Sequence, residues 1–492
     1  MSTRIRSKPL AAICGLLAFY STLPPAAAAP ATVSNASATL QSLESDLQKS
    51  YLELFELSPD LHFTPAQIQE ARRRLREGRE NCVERYKKEA EQDKLQKQKA
   101  EQDLKKPGLT EEARHRLHCE IQGAREAEAQ TRVLTAHAIP IAYDNREAKL
   151  ELLEKWPKDL QEIQAAKEDG SYRNRQWGDV KDIGFREIAK GQDDDIKTGQ
   201  EAIKQMKEMG LMPPELQDKA VTDYVTGLAQ RVASHSDLKV PLHVAVLDAK
   251  EANAFALPGG FLFVERGLLE AVDDEAELAG VIGHEIAHDV ARHGHKLMRR
   301  GEIASIFFQA AEIAASILTG GTAGIGTYYA LQYGFYGLGL ALNLELLGVS
   351  RDYELQADRL GIQYAWNSGY DPKGFIRFFD KMASKEGYVK GLGWFYDHPP
   401  FYDRMVSAER EIAYLPVQSE PVETSSRFDQ MKKDLQKVVE KATKEEKEAP
   451  TLLAREPGCT PVRKVDPNQQ IDLLCSVAEA GEEDSNTARL FQ

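Results

Sequence analysis

The sequence predicts a mostly helical α+β chain, with a small β-sheet just ahead of one histidine-bearing helix and a long charged helical region ahead of both. Three observations carry this. Residues from about 36 to 170 are crowded with Glu, Lys, Arg, Gln and Ala and poor in Gly and Pro, the composition of long helices. Short apolar runs at Val240–Leu247, Ala252–Leu257 and Phe261–Val264 have strand character, and Pro258-Gly259-Gly260 turns the chain between the last two. The stretch after Asp274 then joins a helix-start signal to apolar residues at helical spacing.

The chain opens on Arg4, Arg6 and Lys8, an apolar run from Leu10 to Leu23, and a cluster of small residues. That is the pattern of an export signal ending near Ala29. The run is short for a membrane span, and Cys14, early and preceded by Ile13, does not fit a lipoprotein. Losing the leader takes 63 basic residues to 60 against 77 acidic ones, and the net charge from −14 to −17. Such a chain carries no footprint for nucleic acid and no attraction to anionic lipid. The division that follows is 1–29 leader, 30–180 helical coiled-coil-like region, 183–415 catalytic-type domain, and 416–492 C-terminal helix and irregular tail.

Within the helical region, Lys106-Pro107-Gly108 breaks the pattern and Thr110 caps the next helix. Apolar positions are sparse through Tyr86–Leu104, so this arm projects or packs along one narrow stripe. A partner-binding arm and a solvated structural helix pair are both open readings. Four cysteines follow the leader: Cys82, Cys119, Cys459 and Cys475. In an exported protein an even count points to disulfides, with three connectivities possible. Proximity in sequence favours Cys82–Cys119 and Cys459–Cys475, the latter worth about 3 kcal/mol in chain entropy. The first pairing has a difficulty, because a simple hairpin at Pro107-Gly108 sets a residue near 133, not Cys119, opposite Cys82.

Further on, Gln192–Met209 and Pro214–Ser234 read as helices ahead of the strands. Next comes His284-Glu285-Ile286-Ala287-His288. On a helix, His284 and His288 project from one face about 6 Å apart along the axis, the spacing with which two imidazoles hold one zinc ion. Glu285 is then set to act on a water as general base rather than as ligand. Asp274 and Glu277 suit a capping box, and Gly294 is the expected stop. The motif alone is a weak signal; its surroundings strengthen it. A catalytic zinc wants a third protein ligand, and Glu354 is the candidate, with Asp358 one turn later to fix the tautomer of a ligand histidine. The plain alternative is a solvated face, with Glu354 and Asp358 paired to Arg351 and Arg359. His293 reads as a second-shell or packing histidine rather than a ligand.

A small sheet before such a helix is the arrangement of a zincin, where an edge strand aligns an extended substrate by main-chain hydrogen bonds. Asn253, Ala254, Phe255 and Ala256 are the candidate edge; otherwise this is a hairpin whose asparagine satisfies its own turn. Residues 303–348 are strongly apolar but split by glycines, and three readings compete: a buried helical pair, a membrane-touching surface, or a membrane hairpin. A mobile flap over the cleft is a further use of their glycines. His398-Pro399-Pro400, with Arg404, either returns His398 to the metal as an inhibitory fourth ligand or offers His398 or Arg404 to a tetrahedral oxyanion. A loop histidine bonded within its own turn is the plain alternative.

From Gly199 to Leu415 the chain resembles the HExxH zinc metallopeptidases that include the CAAX prenyl (Ste-type) proteases, HtpX, the mitochondrial Oma protease and the periplasmic BepA-like proteases. Four ordered motifs carry the resemblance: Asn253–Gly260, the H-E-I-A-H helix, Glu354–Asp358, and His398-Pro-Pro with Arg404. It implies a gluzincin-like zincin domain with one Zn2+ per chain, held by His284, His288 and Glu354, with Glu285 as the base. It also implies polypeptide substrates, a periplasmic location, a role in envelope protein quality control, and outer-membrane or envelope assembly partners. The rival reading is a non-catalytic chaperone or assembly factor working through the helical arm. A vestigial site, though, has no need of Glu285.

Overall fold

A computed structural model of the chain describes residues 42–135, 139–174, 176–177, 180–181, 191–208, 212–249, 252–298, 351–385, 402–448 and 458–459. The leader, the 303–348 segment, His398 and Cys475 lie outside them. The described part is a mostly helical α+β fold with one three-stranded sheet.

The N-terminal helices are α1 (Tyr51–Leu57), α2 (Pro65–Asp103), α3 (Glu111–Val133) and α4 (Ile139–Asp169). Capping boxes at Ser50/Glu53 and Thr64/Gln67 start the first two. The chain breaks where expected: Gly108 has a φ of 80°, and Thr110 Oγ1 accepts from Ala113 N at 3.2 Å. Along the α2/α3 hairpin the apolar stripe is narrow, with Ala100, Leu117 and Ile121 buried together. Its other face is charged. At the opposite end the helices are not an appendage, because Tyr51, Leu54, Phe55 and Trp156 join the same apolar core as the rest of the chain.

The structure corrects both expected disulfides: Cys119 is bonded to Cys459, 340 residues away. The reason is geometric. The α2/α3 turn sets Leu117 and Ile121 against Ala100, so Cys119 lies about 25 Å along α2 from Cys82 at 1.5 Å per residue. Cys82 is itself in a disulfide.

Helix α5 (Gln192–Glu208) and helix α6 (Lys219–Ser234) precede the sheet. Asp218 caps α6, and residues ahead of it are extended rather than helical: Leu216 N donates to Val246 O at 2.8 Å, so this stretch runs beside a strand. A two-residue hairpin, β1 (Gln176–Trp177) and β2 (Val180–Lys181), stands apart from the main sheet. That sheet has the order β3-β5-β4, with β3 (His243–Leu247) parallel and β4 (Ala254–Leu257) antiparallel to β5 (Phe261–Glu265). Strand β4 is therefore an edge. Gly259 and Gly260 in its turn have φ of 93° and 87°, and a Cβ on Gly259 would meet the Ile196 backbone at 2.4 Å.

After α7 (Arg266–Ala271) comes α8 (Glu275–Val290), capped by Asp274, which accepts from Glu277 N at 2.8 Å. Glu277 returns the bond to Asp273 N rather than to the cap residue itself. The helix stops before Gly294, because Arg292 takes a left-handed conformation (φ 57°) and pairs with Asp195 through two bonds of 2.6 and 2.7 Å. Gly294 falls instead inside α9 (His293–Met298). Helix α10 (Arg351–Asn367) then crosses α8 closely, since Gly283 and Gly361 meet at the crossing: a Cβ on either would approach the other helix's backbone to 2.6 Å. Helices α11 (Lys373–Lys385), α12 (Tyr402–Tyr414) and α13 (Ser426–Glu448) close the core. Phe428, Met431 and Leu435 of α13 are buried in it, so this helix belongs to the folded body. Among the described residues no helix is long and apolar enough to cross a membrane.

Candidate metal centre

Two helices build the site. The α8 spacing stacks His284 over His288, with their Nε2 atoms 3.0 Å apart. The glycine crossing brings α10 alongside, so that Glu354 lies 3.6 Å from His284 Nε2 and 3.3 Å from His288 Nε2. His284 and Glu354 are buried, whereas the His288 side chain keeps 14% of its exposure. One turn after Glu354, Asp358 Oδ1 is 2.9 Å from His284 Nδ1. Burial alone would raise the Asp358 carboxyl, but the charge and hydrogen bonds of Arg404, with those of His284, hold it below the usual carboxylate range. A carboxylate there keeps the His284 proton on Nδ1 and turns the Nε2 lone pair toward Glu354.

These donors fit a cation. Acceptor atoms facing one another at such distances repel unless positive charge lies among them, and ligands of a tetrahedral zinc stand about 3.3 Å apart for bonds of 2.0–2.1 Å.

The other expected site residues fall into place around this centre or away from it. Glu285 Oε2 accepts from Ala256 N at 3.1 Å, so the residue between the histidines touches the edge strand. Ala256 N therefore points away from β5, and by the alternation of an antiparallel pair the polar groups of Ala254 point the same way. Asn253 is buried and sits just before β4; its carbonyl accepts from Glu265 N at 2.9 Å. Phe255 packs inside the sheet on Phe263, with ring centroids 4.8 Å apart. Arg404 is enclosed beside the donors, against Glu354 and Asp358. It is fully buried, bonded twice to Asp358 at 2.7 Å, 3.3 Å from Glu354, and 4.9 Å from the Phe379 ring centre. His293 Nδ1 lies 3.0 Å from His288 Nδ1, its Nε2 lies 2.8 Å from Gln356 Oε1, and its ring stacks on Tyr353 at 4.3 Å.

Three contributors were not singled out in the sequence. Asp289 accepts from Gly259 N at 3.0 Å and Gly260 N at 2.6 Å, tying the β4–β5 turn to the metal helix. Burial, only partly offset by those amides, raises its carboxyl to about 7. Gln356 has its signal in the Glu354–Asp358 motif, where it lies between the two acids. The Gly283/Gly361 crossing has one in glycines placed inside helical patterns.

Residues 216–412 match the model of peptidase family M48. A beta-barrel assembly-enhancing protease of Yersinia pestis is 29% identical over 204 residues, 40% of this chain and 39% of that protein. The protein of the same name from Escherichia coli K12 is 30% identical, over 36% of this chain and 35% of its own. The mitochondrial metalloendopeptidase OMA1 of Schizosaccharomyces pombe is 33% identical, over 38% and 52% respectively. The chain thus spans between about a third and a half of the length of these relatives.

Proposed function

We propose that this chain, whose residues 216–412 form a metallopeptidase domain of family M48, is a zinc-dependent endopeptidase that hydrolyses peptide bonds of exported proteins. One observation carries the reading: His284 Nε2, His288 Nε2 and Glu354 converge at 3.0–3.6 Å with the His284 tautomer fixed by Asp358. Held by these three residues, zinc would acidify a water molecule and polarise the scissile carbonyl. Glu285 takes the proton of the attacking water and hands it to the leaving amine. The outward groups of Ala254 align the substrate as an added strand beside the donors, while Ala256 N holds Glu285 at the strand. Arg404, buried against Asp358 and Glu354, positions both carboxylates. His398 is left to one of the two roles its motif offers, inhibitory ligand or oxyanion donor.

The names of two relatives, beta-barrel assembly-enhancing proteases, support a role in envelope protein quality control. The leader pattern at 1–29 supports a periplasmic location and cleavage into a mature chain of helical region, peptidase domain and tail. Glu285→Gln tests the chemistry. It should keep its zinc and lose about 10²–10⁴-fold in turnover of a denatured polypeptide; unchanged cleavage would remove the assignment.

A further inference from the structure

His284 has a carboxylate to fix its tautomer, and among the described residues the partner given for His288 Nδ1 is not a carboxylate. That atom faces another imidazole, His293 Nδ1, at 3.0 Å, and His293 Nε2 in turn faces Gln356 Oε1 at 2.8 Å. A row of this kind has two self-consistent settings. In one, Gln356 accepts from His293 Nε2–H, which leaves His293 Nδ1 to accept from His288 Nδ1–H and leaves His288 Nε2 a bare lone pair. In the other, every bond runs backward: the Gln356 amide donates, and the proton of His288 ends on Nε2, pointing at His284 and Glu354. Only the first setting lets His288 bind a cation.

We propose that Gln356 and His293 are positioning residues that set the tautomer of His288 through this relay. The inference rests on the metal-centre reading above. Two features of the site hold this row in place, and a cation among the donors selects the first setting. His293 and Gln356 are buried, at 1% and 4% exposure, so water does not compete for their bonds. The Tyr353 ring stacked 4.3 Å from His293, at 12° between planes, holds the imidazole in the line of the relay. Glu354, the neighbour of Tyr353, lies 3.3 Å from His288 Nε2 on the same turn of α10, and with a cation between them the His288 proton is left to Nδ1 and the relay. A glutamine serves here where a second aspartate serves His284, and the relay stays neutral in a place already holding Glu285, Glu354 and Asp358.

The experiment uses the full-length mature protein. Zinc dissociation constants are measured by competition with a chromophoric chelator for wild type, Gln356→Leu, Gln356→Glu and His293→Phe, and the imidazole 15N shifts of His293 are read in the zinc-loaded protein. Gln356→Leu and His293→Phe should each weaken zinc binding about 10–100-fold, the usual cost of removing such a support, while Gln356→Glu, which keeps an acceptor, stays within about threefold of wild type. His293 should carry its proton on Nε2, toward Gln356, in the zinc-loaded wild type. If His293→Phe does not fold, the Gln356 pair decides. Zinc affinity unchanged in Gln356→Leu, or a His293 protonated on Nδ1 in the zinc-loaded wild type, overturns the relay and leaves the metal centre standing. A wild type that takes up no zinc at all overturns both.

Discussion

The α10/α12 contact at the site and the exposed face of α2 use the same kinds of side chain to opposite ends. On α2, Arg73 pairs with Glu70 and Glu77 at 2.6 Å, and all three are open to water. Hydrogen bonds from Arg73 and Arg74 pull the Glu70 carboxyl down to about 2, yet solvent and salt screen such pairs until little stability comes of them. At the α10/α12 contact, Arg404 meets Asp358 and Glu354 with no exposure left on Arg404 or Asp358. There every charge needs its partner, because removing one leaves the others buried and uncompensated. An arginine–carboxylate pair is decoration in one place and part of the site's frame in the other, and only its surroundings say which.

Mutation should separate the two regions by size of effect. Arg404→Met, which keeps the bulk and drops the charge, should cost about 3–5 kcal/mol in denaturant unfolding and take zinc affinity with it; a loss under about 1 kcal/mol would mean the buried charges are not coupled as described. A smaller effect is expected at Glu409, also on α12, whose carboxylate has an enclosed oxygen with no hydrogen-bond partner among the described residues. Burial raises its pKa against the pull of Lys373. A raised folded value means the stabilisation is fully present below about pH 4.5 and lost as pH rises through the folded pKa. Glu409→Gln should therefore match wild type in Tm at pH 4.5 and exceed it at pH 7.5; a constant difference across that range would contradict the assignment. Smallest of all, Arg73→Ala should leave Tm where it was, and a clear fall would show that the surface pairs of α2 act as a network.

What the sequence made legible follows the same line. That His284 and His288 share one face could be read from their spacing, because a helix fixes which residues lie together, and Asp274 announced where that helix begins. Strand β4 was suggested as an edge by its place in a small sheet ahead of the histidine helix, and its position in the strand order agrees. Features that need two elements to meet were not legible. Nothing in the order of residues says that Gly283 will face Gly361, and without that contact Gln356 is one more glutamine on a helix. Arg404 was visible as a candidate site residue, but not its burial against Asp358 and Glu354. The cysteines mislead for a related reason: proximity in sequence favours short loops, and the fold joins Cys119 to Cys459 across 340 residues.

Metal content bears most directly on the whole account. Mass spectrometry of the purified mature protein should find one zinc per chain, and the same measurement on Glu354→Ala should find it lost with the fold intact. Zinc retained in full by Glu354→Ala, or absent from a folded wild type, would contradict the three-donor centre and leave the helical region as the part that does the work.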